Sequence, residues 1–301
     1  MNIEKWVEEH AIHKLYAGSR LYGTAREDSD WDLRGVCLMP REALLGLTRF
    51  DQYQTNEPDV TIYGLSRFFA LALDANPNIM DILCAPPQTW LLPSNFYWDV
   101  IYQNRHAFLS QKLRHTFSGY AIAQLKRIQG HRQWLEHPPD HPPTPEEFGG
   151  YLAQDAKGGQ KATFTNDVQR GKWEKAKGNW SQYQTWLNER NPKRAELERR
   201  YGYDTKHASH LVRLMLQVQD ILTNGDYDPR LTGQNLTKVK AVLNGEFSYE
   251  YMLGWAIGAD ELVKTMPSDL PHKPDRQLAE NLLMALNHRA LTMFHLYGET
   301  S

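Results

Sequence analysis

Gly18-Ser19 and Asp30-Trp31-Asp32 stand ten residues apart in the stretch AGSRLYGTAREDSDWDLRGV, residues 17–36. If the second group lies in a strand, side chains alternate between faces. Asp30 and Asp32 then point the same way with Cβ atoms about 7 Å apart, and Trp31 and Leu33 turn into the core. Two carboxylates so spaced at a strand end make a poor internal salt bridge. They suit one or two hard divalent cations, since Mg2+ takes a few carboxylates and completes its shell with water and phosphate oxygens. Gly18-Ser19 offers backbone N–H groups and a hydroxyl to an anion, and a helix starting there would add its N-terminal field. An anion-holding edge beside a metal-holding edge is the apparatus of phosphoryl or nucleotidyl transfer. Each pair alone is commoner as a turn or a solvated loop edge; the combination is much narrower.

The elements that must position these groups are legible nearby. Residues 2–10 read as a short helix with Trp6 and Val7 on its apolar face, and Ile12–Ala17 as a strand running into Gly18. Trp31–Met39 reads as a second strand, Pro40 as the opening of a short helix, and DVTIYGL from Asp59 as a third strand. In that strand Asp59, Thr61 and Tyr63 share a face; Asp59 is either a candidate third carboxylate, with Glu57 as its competitor, or a plain loop-to-strand cap. From about residue 100 the pattern turns helical. Five prolines in residues 136–147 mark an extended loop. Residues 155–200 carry eleven Lys/Arg against six Asp/Glu, with Trp173, Trp180 and Trp186 interleaved. That is either a stacking surface for single-stranded nucleic acid or a solvated helix face with aromatic anchors. DTKHASHLVRLMLQVQDILTNG, from Asp204, is a strong helix, with Asp204 or Thr205 as its cap and Gly225 as its stop. Runs at about 248–266 and 275–297 are helical as well. The expected division is a catalytic domain over residues 1–100 and a helical domain over 101–301.

The chain of 301 residues, 41% apolar and 23% charged with a formal net charge of −2, is that of an ordinary globular protein rather than a nucleic-acid coat. Cys37 and Cys84 lack zinc-site spacing and read as buried thiols. MNIEKWVEEH has no apolar signal core, and no stretch approaches the ~20 apolar residues of a membrane span, so a cytoplasmic location without membrane contact is expected.

The motif resembles the nucleotidyltransferase superfamily related to DNA polymerase beta. It is most similar to the bacterial and phage group that includes RNA-ligase-associated, polymerase-beta-like RNA repair proteins, with their Gly-Ser-Arg-x-Tyr-Gly and Ser-Asp-x-Asp segments. DVTIYGLSRFFALALDANPNIMDIL is similar to that group's third-aspartate strand and following helix, and YDTKHASHLVRLMLQVQDILTNG to its helix with Lys-His-x-x-His-x-x-Arg. Asp81 departs from the glutamate more usual there. The resemblance implies an α+β fold, a polymerase-beta-like module of small mixed sheet and flanking helices followed by a mostly helical region. It implies that Gly18 and Ser19 hold the triphosphate of an NTP such as ATP. Asp30, Asp32 and Asp59 are then the catalytic carboxylates and the ligands of two Mg2+ or Mn2+ ions.

Lys206, His210 and Arg213 fall at i, i+4 and i+7 on one helical stripe, a phosphate- or base-binding face or a solvated one. The resemblance favours binding and places them opposite the aspartates. Arg20 and Arg34 either contact phosphate or pair with the aspartates; Arg20 is carried as a nucleotide-binding candidate. The expected reaction transfers a nucleoside monophosphate to an acceptor hydroxyl on an RNA or tRNA end and releases pyrophosphate. The alternatives are addition of AMP to a partner protein, transfer to a small molecule, and a catalytically silent nucleotide-binding module.

Overall fold

The computed structural model describes residues 2–154 and 158–297. Asn2 accepts the N–H groups of Glu4 and Lys5 on its side chain, which opens α1 (Ile3–His10) and turns Trp6 and Val7 inward. β1 (Ala11–Tyr16) follows directly, and Gly18 begins the five-residue α2 (Gly18–Tyr22), ended by Gly23 in the left-handed conformation. Then come β2 (Leu33–Cys37), α3 (Arg41–Leu45), β3 (Gln52–Asn56) and β4 (Asp59–Gly64). α4 (Leu65–Leu73) stops ahead of Asn76, whose side chain caps α5 (Pro77–Cys84).

The four strands form a mixed sheet in the order β1-β2-β4-β3. β2 is antiparallel to β1 and parallel to β4, and β3 closes a hairpin against β4. β3 is not among the strands the sequence indicates. Its residues, QYQTN, form a sheet edge with only every second side chain half-covered, so it carries almost no apolar signal. One correction concerns the second strand. Pairing begins at Leu33, not Trp31, so the alternation expected to bury Trp31 is not imposed there, and Trp31 is 56% exposed.

The rest is mostly helical: α6 (Phe96–Gln103), α7 (Lys112–Glu136), a hairpin of β5 (Gly150–Gln154) and β6 (Gln160–Phe164), α8 (Asp167–Glu189), α9 (Pro192–Tyr201), α10 (Thr205–Asn224), α11 (Gly233–Leu243), α12 (Tyr249–Thr265) and α13 (Arg276–Tyr297). An α+β module with a small mixed sheet, followed by a mostly helical region, is the fold the resemblance implies. Among the described residues, no helix is long and apolar enough to cross a membrane.

Two compact units result, one of Met1–Leu125 with Ala208–Ser301 and one of Lys126–His207. This division is drawn differently from a boundary at residue 100, because the last helices return to the sheet's own unit. Phe294 meets Trp6 edge-on at 5.3 Å, and Arg114 donates to the carbonyls of Val263 and Met266. The core of this unit includes Leu15, Ile62, Leu65, Phe68, Phe69, Trp98 and Phe117, all fully buried. Cys37 and Cys84 are buried free thiols. In the other unit Trp173 donates to the Pro143 carbonyl at 3.2 Å and packs on Phe164, while Trp180, Tyr183 and Trp186 gather with Trp134. The tryptophans of the basic segment are therefore packed as helix anchors; residues 155–157 of that segment lie outside the described residues.

His13 sits in the core on β1, stacked on Trp98 at 3.8 Å. Burial lowers its pKa from 6.5 to about 3, so it is neutral when folded. The unfolded chain takes up this proton as pH falls below 6.5 and the folded chain does not, so the contribution to stability is present above that pH and is lost toward pH 3. His13→Phe should flatten the fall in urea midpoint between pH 7 and 4 relative to wild type. Parallel curves for the two proteins would refute this origin of acid sensitivity.

Candidate active site

Strand register decides which groups meet at the sheet's edge. β1 ends with Tyr16 opposite Leu33, the first residue of β2, and the Ala17 N–H extends the ladder to the Asp32 carbonyl at 2.8 Å. β4 runs parallel to β2 with Val60 beside Leu33, which brings Asp59 beside Asp32. Because β1 leaves the sheet where β2 and β4 enter it, Gly18, Asp32 and Asp59 share one edge. Gly18 has φ +64°, a conformation side chains rarely adopt, and a Cβ there would run into Oδ2 of Asp32. The glycine is thus required twice, by the turn and by the carboxylate against it.

Ser19 follows, half-buried, in α2, whose single turn generates little helix dipole. The anion-holding capacity here is that of local N–H groups and the hydroxyl, not of a long helix.

Asp32 and Asp59 are in hydrogen-bond contact, yet they are unequal. Arg34 grips Asp59 with two N–H···O bonds of 2.9 and 3.0 Å and holds its carboxyl below the usual range. Burial pushes Asp32 the other way, reinforced by the charges of Asp59 and Asp30 and opposed by Arg34. Asp59 is therefore the more readily ionised of the two, and Asp32 keeps its proton to higher pH. Glu57, the competitor for the third carboxylate, lies exposed in the β3–β4 turn.

Asp30 lies ahead of β2 and is exposed; it raises the Asp32 pKa without closing a tight three-carboxylate set. Its backbone is held by Arg20, which donates to the carbonyls of Ser29 at 2.7 Å and Asp30 at 3.2 Å and lies over the Trp31 ring at 3.4 Å. Arg20 therefore shapes the loop that presents Asp30.

Asp204 caps α10 through the N–H groups of Lys206 and His207. Lys206 is exposed and belongs to the compact unit of Lys126–His207; His210 is half-buried in the other. Arg213 is buried, and the structure does not set it at the carboxylates. Its guanidinium lies 3.9 Å from the Tyr22 ring, donates to Gln217 at 2.7 Å, and stands 3.6 Å from Asp81. Asp81 accepts from the hydroxyls of Tyr22, at 2.6 Å, and Tyr227. Burial raises Asp81 while Arg213 and the two hydroxyls oppose the rise. This network pins Tyr22, the last residue of the turn that Gly18 opens. Tyr22, Tyr227 and Gln217 are not visible as site residues in the sequence. The available signal is Asp81 within the apolar run PNIMDILC, since a buried carboxylate requires donors.

Gly18→Ala should destabilise the protein by about 1–3 kcal/mol through strain alone, with a further loss from its contact with Asp32. In Gly18→Ala/Asp32→Ala part of that loss should be recovered, and denaturant unfolding of the four proteins of the cycle measures the coupling. Strict additivity would mean that the two residues do not touch.

Residues 1–138 match the model of the family described as RlaP, the RNA repair pathway DNA polymerase beta family. An uncharacterized 38.9 kDa protein encoded in the nrdC-mobD intergenic region of Enterobacteria phage T4 is 31% identical over 137 residues, which cover 40% of this chain and 40% of the phage protein. The chain thus spans about two fifths of the length of that curated relative. The matched segment holds Gly18, Ser19, Asp30, Asp32 and Asp59, and over it the chain is similar to the polymerase-beta-like RNA repair group that its motifs resemble.

Proposed function

We propose that this protein is a divalent-metal-dependent nucleotidyltransferase that moves a nucleoside monophosphate from an NTP to a hydroxyl on an RNA or tRNA end. The observation that carries the reading is the single edge where Gly18 abuts Asp32 and Asp32 touches Asp59. The RNA acceptor rests on the family description matched by residues 1–138.

The carboxylates fit a hard cation: their oxygens are the donors that Mg2+ and Mn2+ prefer, and the charges of Asp59 and Asp30, which help raise the Asp32 pKa, mark a place where positive charge relieves repulsion. Asp30, Asp32 and Asp59 would hold two such ions, which when bound neutralise triphosphate charge and ease ionisation of the acceptor hydroxyl. Gly18 and Ser19 hold the triphosphate with N–H groups and hydroxyl, and the absent Gly18 side chain lets phosphate approach the backbone closely. Arg34 keeps Asp59 ionised. His210 acts on the nucleotide, whereas Arg20 and Arg213 act through the loop and the Tyr22 turn that they position. In the transfer an acceptor oxygen bonds to the α-phosphorus, the bond to the β-phosphate bridge breaks, and pyrophosphate leaves while the acceptor proton passes to solvent. Residues 1–100 are the proposed catalytic module.

Purified protein incubated with Mg2+ or Mn2+, each α-labelled NTP and total RNA should label RNA. Asp30→Ala/Asp32→Ala should reduce the label by about a hundredfold or more. Label in polypeptide instead of RNA would overturn the acceptor and make the protein an AMP-adding enzyme. Nucleotide binding with no transfer to either would overturn the enzymatic reading.

A further inference from the structure

Three side chains outside the carboxylate edge converge in the unit of Lys126–His207. One donor atom from each of His131 on α7, Asp204 at the cap of α10 and His207 in its first turn lies within 4.8 Å of the other two. We propose that these residues form a second metal site, for a divalent transition ion of the zinc class, separate from Asp30, Asp32 and Asp59. Two imidazoles and a carboxylate are a borderline donor set, matched to Zn2+ or Co2+ and poorly matched to Mg2+.

The surroundings are those of ligands held in readiness. His131 Nδ1 lies 3.0 Å from Oε1 of the buried Glu198, which fixes the ring and leaves Nε2 as the ligating nitrogen. Such a carboxylate behind a histidine is a recurrent support of metal sites. Glu198 is itself gripped by Arg190 through Nε at 3.0 Å. Asp204 uses Oδ1 for its two capping bonds, leaving Oδ2 3.6 Å from His207 Nε2.

A positive group already occupies the point of convergence. Arg194 donates from one guanidinium nitrogen to Asp204 Oδ2 at 3.0 Å and to His207 Nε2 at 2.5 Å. The trap is therefore built for a cation. Arg194 is one-third exposed and reaches in from α9, so it can swing out to solvent. Ligands of one zinc ion stand about 3.5 Å apart, so closing on a metal needs a contraction of roughly an ångström. The bound ion would brace α7 against the start of α10 and release Arg194.

The test is titration of metal-stripped, full-length protein with Zn2+ against a chromophoric chelator, with the melting temperature followed in parallel. Wild type should bind one tight equivalent and melt several degrees higher. His131→Ala and His207→Ala should weaken that equivalent about ten- to a hundredfold or more. Arg194→Ala should tighten it by removing the internal competitor, and Asp30→Asn/Asp32→Asn should retain it. Co2+ should give the intense visible absorption of a low-coordinate site. The proposal is overturned if wild type, helical by circular dichroism, binds no saturable equivalent. It is equally overturned if folded His207→Ala binds Zn2+ as wild type does, or if Arg194→Ala weakens binding; the guanidinium would then be the permanent counterion.

Discussion

The candidate active site depends on the register at which β2 lies between an antiparallel and a parallel neighbour. Tyr16 opposite Leu33 sets Gly18 against Asp32, and Leu33 beside Val60 sets Asp59 there too. A slip of one residue in either pairing would send alternate side chains to the other face and separate the carboxylates. The sheet has little freedom to slip, because Leu15 and Val36 are fully buried on one of its faces and Ile62 on the other. Hydrophobic packing thus holds in place a group of like charges that would otherwise move apart.

That electrostatic tension is distributed unevenly. Arg34 stands two residues beyond Asp32 on the same strand face yet spends its guanidinium fork on Asp59. One carboxylate is thereby kept ionised while its neighbour, more buried and facing two other acids, holds its proton more firmly. A site arranged in this way invites positive charge, and it bears a folding cost that the surrounding core must offset. Behind the edge, Asp81, Arg213, Tyr22 and Tyr227 satisfy one another in the interior. The Gly18 turn is therefore fastened at its far end by a polar network in which every member needs the others.

The unit of Lys126–His207 is organised by different means. Its tryptophans have turned inward onto Trp134 and Phe164, while lysines of α8 such as Lys172, Lys175 and Lys177 remain exposed. Composition alone does not separate an aromatic stacking surface from an aromatic core, because both place tryptophan among basic residues on a helix. Its buried charges, Glu198 and Asp204, are each held by arginine and histidine.

The local content of the site was readable from residue types and spacing. A glycine-serine turn after a strand, an Asp-x-Asp ahead of another, and Asp59 at the head of a third carry their meaning in near-neighbour geometry, which strand alternation and turn chemistry dictate. The capped helix from Asp204 was legible for the same reason. What pairs with what was not legible. The edge strand QYQTN carries no apolar pattern, and the exposure of Trp31 follows from where β1 stops pairing. Arg213 shares a helical stripe with Lys206 and His210, but its burial is decided by Asp81, 132 residues away in the chain. The convergence of His131, Glu198, Asp204 and His207 likewise depends on how helices pack. Sequence determines the chemistry that each short segment can offer, because that is set by backbone geometry within a few residues. Only the tertiary structure chooses partners, because a buried charge takes whichever opposite charge or donor the packing brings within reach.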